Sequence, residues 1–416
     1  MKVYLNNLFF QIINLFKIVK GFTIGTIIQQ FIVFLSIPVF TRLLPPEELG
    51  IFILFTSFTL LVSYFSWFGS NQSIIKQYPE IKKNDSKNYL SSIYSFSSLI
   101  ILGLFFLVTF FYLIIGFDSN LVPSLPFYPF LILCFLHIFC ETPFNIVLSK
   151  YRSQNDHIKY NYWIIISTSL SVVFSVLIIY FFETGVEGRI LGGILSYACF
   201  YVFIFIKKYL TINFNFKLFK QAFNFGVFLS IQWVFLEFYN YYSYSIIESN
   251  ISTEFLGILS VHKSVGLQIP SFIISSVELA FVPLYFKVYN SGVTKSFFNS
   301  YWIYIFLLGL FISLFIFFYN PLFYFLTDNE YHAFMWIGPV FAISAFIRAF
   351  MFIPLYYQYV NEKTKNVMLV FVLSTLIMLI YLFYNINNLS LKDVVLILVM
   401  PNILNTLFLS IIYFLK

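Results

Sequence analysis

The feature that most limits this chain is a rhythm of apolar runs, each of membrane-crossing length, separated by short polar breaks. The runs fall at about 20–41, 50–75, 89–115, 126–149, 160–182, 189–206, 222–247, 255–285, 300–320, 332–357, 367–386 and 394–415. A stretch of about 20 apolar residues carries a helix across the hydrocarbon layer of a bilayer. A soluble domain needs about a quarter of its residues charged, but here the share is 10%, with a mean hydropathy of +0.88. The expected fold is therefore all-α and integral to a membrane, with about twelve transmembrane helices and no soluble domain.

The net charge of +7 would suggest nucleic acid in a soluble protein, but its distribution points elsewhere. With twelve spans the loops alternate sides, and all but five of the 24 basic residues gather on one side. The other side holds Arg42, Arg189 and Lys392, while Lys263 and Arg348 lie inside spans. Basic loops stay in the cytoplasm during insertion, so both termini are expected there, in a bacterial plasma membrane. The first apolar stretch follows Lys17 and Lys20 and lacks a small-x-small exit, so it reads as a span and not as a cleaved signal. Cys134, Cys140 and Cys199 lie in apolar segments without metal or disulfide spacing, and neither a metal nor a cofactor is expected.

Residues 3–16 place Leu5, Leu8, Phe9, Ile12 and Phe16 at helical spacing against Asn6, Asn7, Gln11 and Asn14. They form either an amphipathic helix on the inner leaflet or an extension of span one. Further on, the chain repeats itself. Glu48-Leu49-Gly50-Ile51 follows span one, and Phe255-Leu256-Gly257-Ile258 follows span seven at an offset of 257 − 50 = 207. Glu47 and Glu254 precede the two stretches, and each long span that follows ends in a Tyr, Tyr78 or Tyr285. Two six-span halves of like orientation explain this, 1–210 and 211–416, joined by the basic linker near 207–220. Parallel repeats of this kind are found in transporters, with the substrate between the halves.

The loops are too short for a folded catalytic domain on either face. The sequence has no GxxxxGK[ST] phosphate loop, no His/Cys cluster and no GxSxG elbow. It also lacks the large external loop of a polysaccharide polymerase.

A charge at membrane depth costs several kcal/mol unless paired or hydrated, so each is a candidate site residue. Span four carries His137 and Glu141, one helical turn apart. In span seven, Glu237 begins a stripe through Tyr241, Tyr244 and Glu248. His262, Lys263 and Glu278 lie in span eight, Arg348 in span ten, and Gln29 and Gln30 in span one. In the functional reading, Lys263 and Arg348 face an anionic group, Glu237 or Glu141 holds a proton or sodium ion, and Gln29, Gln30 and Glu278 add polar lining. Tyr241 and Tyr244 would stack on sugar rings. In the alternative reading the charges only pair with one another, and the tyrosines mark the membrane interface.

Residues 21–50, above all Thr41-Arg42-Leu43-Leu44-Pro45-Pro46-Glu47-Glu48-Leu49-Gly50, resemble the opening of Wzx-type O-antigen and capsule flippases. These belong to the multidrug/oligosaccharidyl-lipid/polysaccharide (MOP) exporter superfamily. Residues 255–285 resemble that family's eighth span. The resemblance implies a MATE-like fold, two six-helix bundles related by a pseudo-two-fold axis around a cavity open alternately to each side. It implies a polyprenyl-pyrophosphate-linked oligosaccharide as substrate, and a polysaccharide polymerase and chain-length regulator as partners. Lys263, Arg348 and Arg42 would meet the pyrophosphate, and a Na+ or H+ gradient would reset the empty carrier. Many members carry Asp-Arg near the outer end of span seven, whereas this chain has Tyr244-Ser245-Ile246-Ile247-Glu248. A MATE-like cation antiporter and a membrane polymerase are the competing readings.

Overall fold

The computed structural model describes residues 2–82, 85–116, 125–291, 294–361, 363–385 and 390–414. Their side chains are described outside 2–20, 22, 23, 275–291, 294–300, 359, 360 and 364. The first half holds α1 (Lys2–Leu43), α2 (Pro46–Trp67), α3 (Ser70–Gln77), α4 (Ser86–Ile115), α5 (Ile132–Ser153), α6 (His157–Phe182) and α7 (Gly185–Ile206). The second holds α8 (Phe216–Asn250), α9 (Thr253–Ser291), α10 (Thr294–Phe317), α11 (Tyr319–Leu326), α12 (Ile337–Phe350), α13 (Phe352–Val360), α14 (Thr364–Asn385) and α15 (Leu391–Phe414). Among the described residues nine helices are long and apolar enough to cross a bilayer, and eleven spans result when each of two bent pairs counts as one. The remaining expected span, 255–285, lies within α9.

Three details depart from the simple rhythm. Because α1 is one helix, the stretch 3–16 extends span one instead of forming a separate element. The expected second span, 50–75, breaks after α2, where Phe68 and Gly69 both take positive φ, 44° and 65°. The two bends, 61° between α10 and α11 and 42° between α12 and α13, share one cause. A proline ring clashes with the carbonyl four residues back. Pro321 and Pro354 place that clash on Phe317 and Phe350, the last residues of α10 and α12.

Two compact units emerge from the packing. One comprises residues 39–260 with 379–389, and the other residues up to 38, 261–378 and 390 onward. Their boundaries differ from the halves 1–210 and 211–416, because α8 packs lengthwise on α2. Helices in lipid gain little from apolar contact with each other, so small residues and hydroxyl hydrogen bonds must hold them. In the first unit Ser230 Oγ donates to the Tyr64 carbonyl at 2.7 Å, and Ser73 Oγ to the Ala222 carbonyl at 2.7 Å. Ser196 Oγ donates to the Ser167 carbonyl at 2.8 Å, tying α7 to α6. A Cβ on Gly69 would collide with the Gly226 carbonyl, which explains the glycine at each position. On α4, Phe106, Phe110, Leu113 and Ile114 are exposed, as expected for a lipid-facing surface.

The repeated motif gains a physical meaning in this unit. A Cβ on Gly50 would strike the Thr253 carbonyl, and a Cβ on Gly257 would strike the Pro46 carbonyl and stand 3.1 Å from the Gly50 nitrogen. Pro46 and Thr253 open α2 and α9 and are themselves repeat partners, since 253 − 46 = 207. Next to this crossing, the Glu48 carboxylate accepts a hydrogen bond from the Val186 backbone N–H at the start of α7. Gly185, with φ 55°, leaves room for that carboxylate. One turn further along α7, the Arg189 guanidinium lies 4.1 Å from the Phe40 ring centre and 3.8 Å from that of Phe52.

In the second unit His262 forms a buried knot. Its Nε2 lies 2.7 Å from the Ala333 carbonyl and its Nδ1 2.7 Å from the Tyr319 hydroxyl, and its ring stacks on Phe323 at 4.0 Å. Gly266 lies against Gly338, and Gly338 against Tyr319. Asn402 Nδ2 donates to Ser344 Oγ at 3.1 Å, and Ser374 Oγ to Asn405 Oδ1 at 2.6 Å, binding α15 to α12 and α14.

Candidate functional site

Polar groups from α2, α5 and α8 gather inside the first unit. On α5, His137, Glu141 and Asn145 follow one another at four-residue spacing and so share a face. Asn145 Nδ2 donates to Glu141 Oε1 at 3.1 Å, and His137 Nε2 lies 3.9 Å from Glu141 Oε2. His137 also meets the ring edges of Phe55 and Tyr197. On α8, Asn240 Nδ2 donates to Glu237 Oε2 at 3.1 Å. Tyr64 on α2 lies close enough to both acids to interact electrostatically with each. Its ring stacks on Trp233 at 5.7 Å and 15°. Trp67 is fixed by a hydrogen bond from its Nε1 to Thr142 Oγ1 at 3.1 Å.

The energetics bear on what a buried acid in this cluster needs. A charged side chain at mid-bilayer costs about 3 kcal/mol. One interhelical side-chain hydrogen bond returns about 0.6 kcal/mol on average. The bond that Asn145 gives Glu141 from within the same helix does not offset an ionised carboxylate, so Glu141 requires water, a proton or a cation inside a span.

From these groups a cavity of about 250 Å³ opens toward the end of α5 that carries Lys150 and Arg152. Tyr64, Trp67 and Trp233 line it with aromatic rings, Asn71, Gln72 and Asn145 with amides, and Arg152 lies on its wall. Asn71 owes its place to the positive-φ turn at Phe68-Gly69, which redirects the chain from α2 into α3.

The residues expected from sequence are distributed as follows. Glu141 and Glu237 share the first unit and both lie near Tyr64. Tyr241 and Tyr244 are 5% and 3% exposed, with Tyr241 packed on Phe58, so their rings are enclosed and the open aromatic faces belong to the cavity. Arg42 is exposed at the end of α1. In the second unit Lys263 is half-buried and Arg348 exposed. Lys263 precedes Gly266, which meets Gly338, and Arg348 lies ten residues or about 15 Å of helix beyond that contact. Gln29 and Gln30 are half-buried, and Gln30 borders an apolar groove with Ile27, Phe31, Gln268 and Phe272. The side chain of Glu278 lies outside the described ones. Asn71, Asn145, Arg152, Trp67 and Trp233 escaped the sequence reading, although Asn145 continues the His137–Glu141 stripe. Among the described residues no group of three His, Cys, Asp or Glu side chains could hold a metal ion.

Residues 19–289 match the family model described as polysaccharide biosynthesis protein. The chain belongs to that family. The resemblance to Wzx-type members of the MOP superfamily thus holds for family and fold. The polysaccharide biosynthesis family member superposes on the inward-facing conformation of a multidrug resistance MATE family transporter with TM-score 0.66 and 14% identity, over 91% of this chain and 92% of that one. It matches a MOP superfamily transporter from Pyrococcus furiosus Vc1 with TM-score 0.63 and 14% identity, over 96% and 94%. An outward-facing MATE family transporter matches with TM-score 0.63 and 15% identity, over 94% and 93%. At these identities the likeness establishes a MATE-like transporter fold. No curated protein matches the sequence.

Proposed function

We propose that this polysaccharide biosynthesis family member is a flippase, moving a polyprenyl-pyrophosphate-linked oligosaccharide from the cytoplasmic to the periplasmic leaflet by alternating access. The supporting observation is family membership on a transporter fold in which one unit encloses a cavity lined by amides and aromatic rings. A sugar–pyrophosphate head cannot cross about 30 Å of hydrocarbon unaided, whereas its isoprenoid tail can stay in lipid. The basic-rich end is cytoplasmic in this reading, with both termini on that side of a bacterial plasma membrane. The two sequence halves act as the alternating pair, and a polymerase with its chain-length regulator receives the product.

Lys263, Arg348 and Arg42 supply positive charge for the pyrophosphate as the head passes different levels of the protein. Glu141 and Glu237 hold the coupling proton or sodium ion in this reading, as ionisable groups inside spans where charge is rare. Deleting the gene should leave the lipid-linked oligosaccharide on the inner leaflet, scored by periodate accessibility in sealed inverted vesicles. A wild-type distribution between leaflets would sink the reading. The same two acids also favour a second reading, a cation antiporter. It predicts that deletion changes susceptibility to lipophilic cations and leaves surface polysaccharide intact.

A further inference from the structure

We infer that the cavity between α2, α3, α5, α6 and α8 is a subsite for one sugar ring bearing an acidic substituent. The inference rests on the flippase reading for the origin of the sugar, but its geometry stands alone. A volume of about 250 Å³ falls just below the range of about 300–1,000 Å³ that accepts drug-sized ligands, and suits a single ring. Aromatic faces and amides are the two surfaces such a ring needs, one for its C–H face and the other for its hydroxyls.

The groups are held in place before any ligand arrives. Trp67 is fixed by Thr142, and Trp233 by its stack on Tyr64. Asn71 Oδ1 accepts from Ser149 Oγ at 3.2 Å, which turns the amide N–H groups of Asn71 away from that contact. Asn145 gives its Nδ2 to Glu141, leaving its Oδ1 to accept from a hydroxyl. The cavity thus offers a donor and an acceptor from two helices.

Charge selects the substituent. Of the basic residues near this end of α5 and α6, Lys159 is paired with Asp156 at 2.7 Å, and Lys150 lies over the Tyr151 and Tyr209 rings. Arg152 makes no ion pair among the described residues and lines the cavity. No acid is among the lining residues: Glu141 sits behind Asn145, and Glu141 and Glu237 lie on the far side of the Tyr64 wall from Arg152. An organic cation would meet Arg152 without a counter-charge, whereas a carboxylate or phosphate on the ring would meet a planar fork of donors.

Two of the five tryptophans line the cavity, so intrinsic fluorescence reports its occupancy. The full chain in phosphatidylcholine nanodiscs is titrated with glucuronate, glucose and inorganic phosphate. Saturable quenching by glucuronate, at least tenfold weaker with glucose, is expected. Arg152→Gln should bring glucuronate to the level of glucose, and Asn71→Ala should weaken both sugars at least fivefold. Quenching unchanged by either substitution, no saturable signal with either sugar, or equal quenching by inorganic phosphate alone would overturn the subsite. Competition by added phosphatidylglycerol would assign the cavity to a lipid headgroup and overturn it as well. Sugar binding with normal leaflet distribution in the deletion strain would instead remove the flippase reading and leave the subsite standing.

Discussion

Gly50 and Gly257 meet at the crossing of α2 and α9, each lying against the first turn of the other's helix. Backbone atoms occupy the space where either Cβ would go, so a side chain cannot be admitted by turning a neighbouring rotamer. Gly257→Ala is expected to destabilise the protein by about 1–3 kcal/mol, the usual cost of overpacking a tight site. Gly103 on α4 has open space around its Cβ position. Gly103→Ala should be neutral or stabilising by up to about 1 kcal/mol, and thermal unfolding in detergent separates the two variants.

Glu48 anchors the start of α7 through the Val186 N–H. A side-chain hydrogen bond to a backbone N–H contributes about 0.5–1.5 kcal/mol, and a neutral amide can accept the same N–H. Glu48→Ala should therefore lower the unfolding midpoint clearly, and Glu48→Gln by less than half as much.

The His262 ring is enclosed between a carbonyl and a hydroxyl. The Ala333 carbonyl can only accept, so Nε2 carries the proton and Nδ1 accepts from Tyr319. Replacing the ring by alanine opens a void and orphans both partners, at an expected cost of about 3 kcal/mol or more. Tyr319→Phe removes a single bond and should cost about 1 kcal/mol. The order of the two midpoints tests the assignment.

Asp156 caps α6, accepting from the Lys159 backbone N–H at 3.2 Å and from its Nζ at 2.7 Å. Slight burial works to raise the Asp156 pKa, but the hydrogen bonds and charge of Lys159 outweigh it and hold the carboxyl below its ordinary value. A depressed carboxylate stabilises the fold above its unfolded pKa, and that contribution disappears as pH falls through the folded value. Asp156→Ala should thus cost about 1 kcal/mol at neutral pH, with the difference from wild type shrinking below about pH 4.

In the proposed coupling role, Glu141→Gln and Glu237→Gln should each reduce gradient-driven flipping at least tenfold in proteoliposomes. Fluorescence titration with glucuronate should be little affected. Full gradient response in both variants would remove the acids from coupling.

The spans were readable because each requires a long apolar window whose breaks are polar; the run 332–357 takes in nearly all of the second bent pair, whereas most of α11 lies beyond the run 300–320. The bends themselves were less legible. Pro354 stood out inside a run, but its effect lands four residues earlier at Phe350, and Pro321 acts likewise on Phe317. Glu141 and Glu237 were visible because charge is rare at that depth. Asn71 and Arg152 were not, since amides and loop-end cations are common in short connections. Only the turn at Gly69 and the packing of α8 on α2 bring them to one wall.

The crossing of α2 and α9 obeys the rule of an isologous contact between two copies of one subunit. Position 50 touches position 253, and position 257 touches position 46, so each half presents the same pair of positions to the other. Self-complementarity of this kind is what a two-fold homodimer demands. Residues 50 and 257 are therefore sterically linked, because a side chain at either one would push back the opening turn of the other's helix and with it the second glycine.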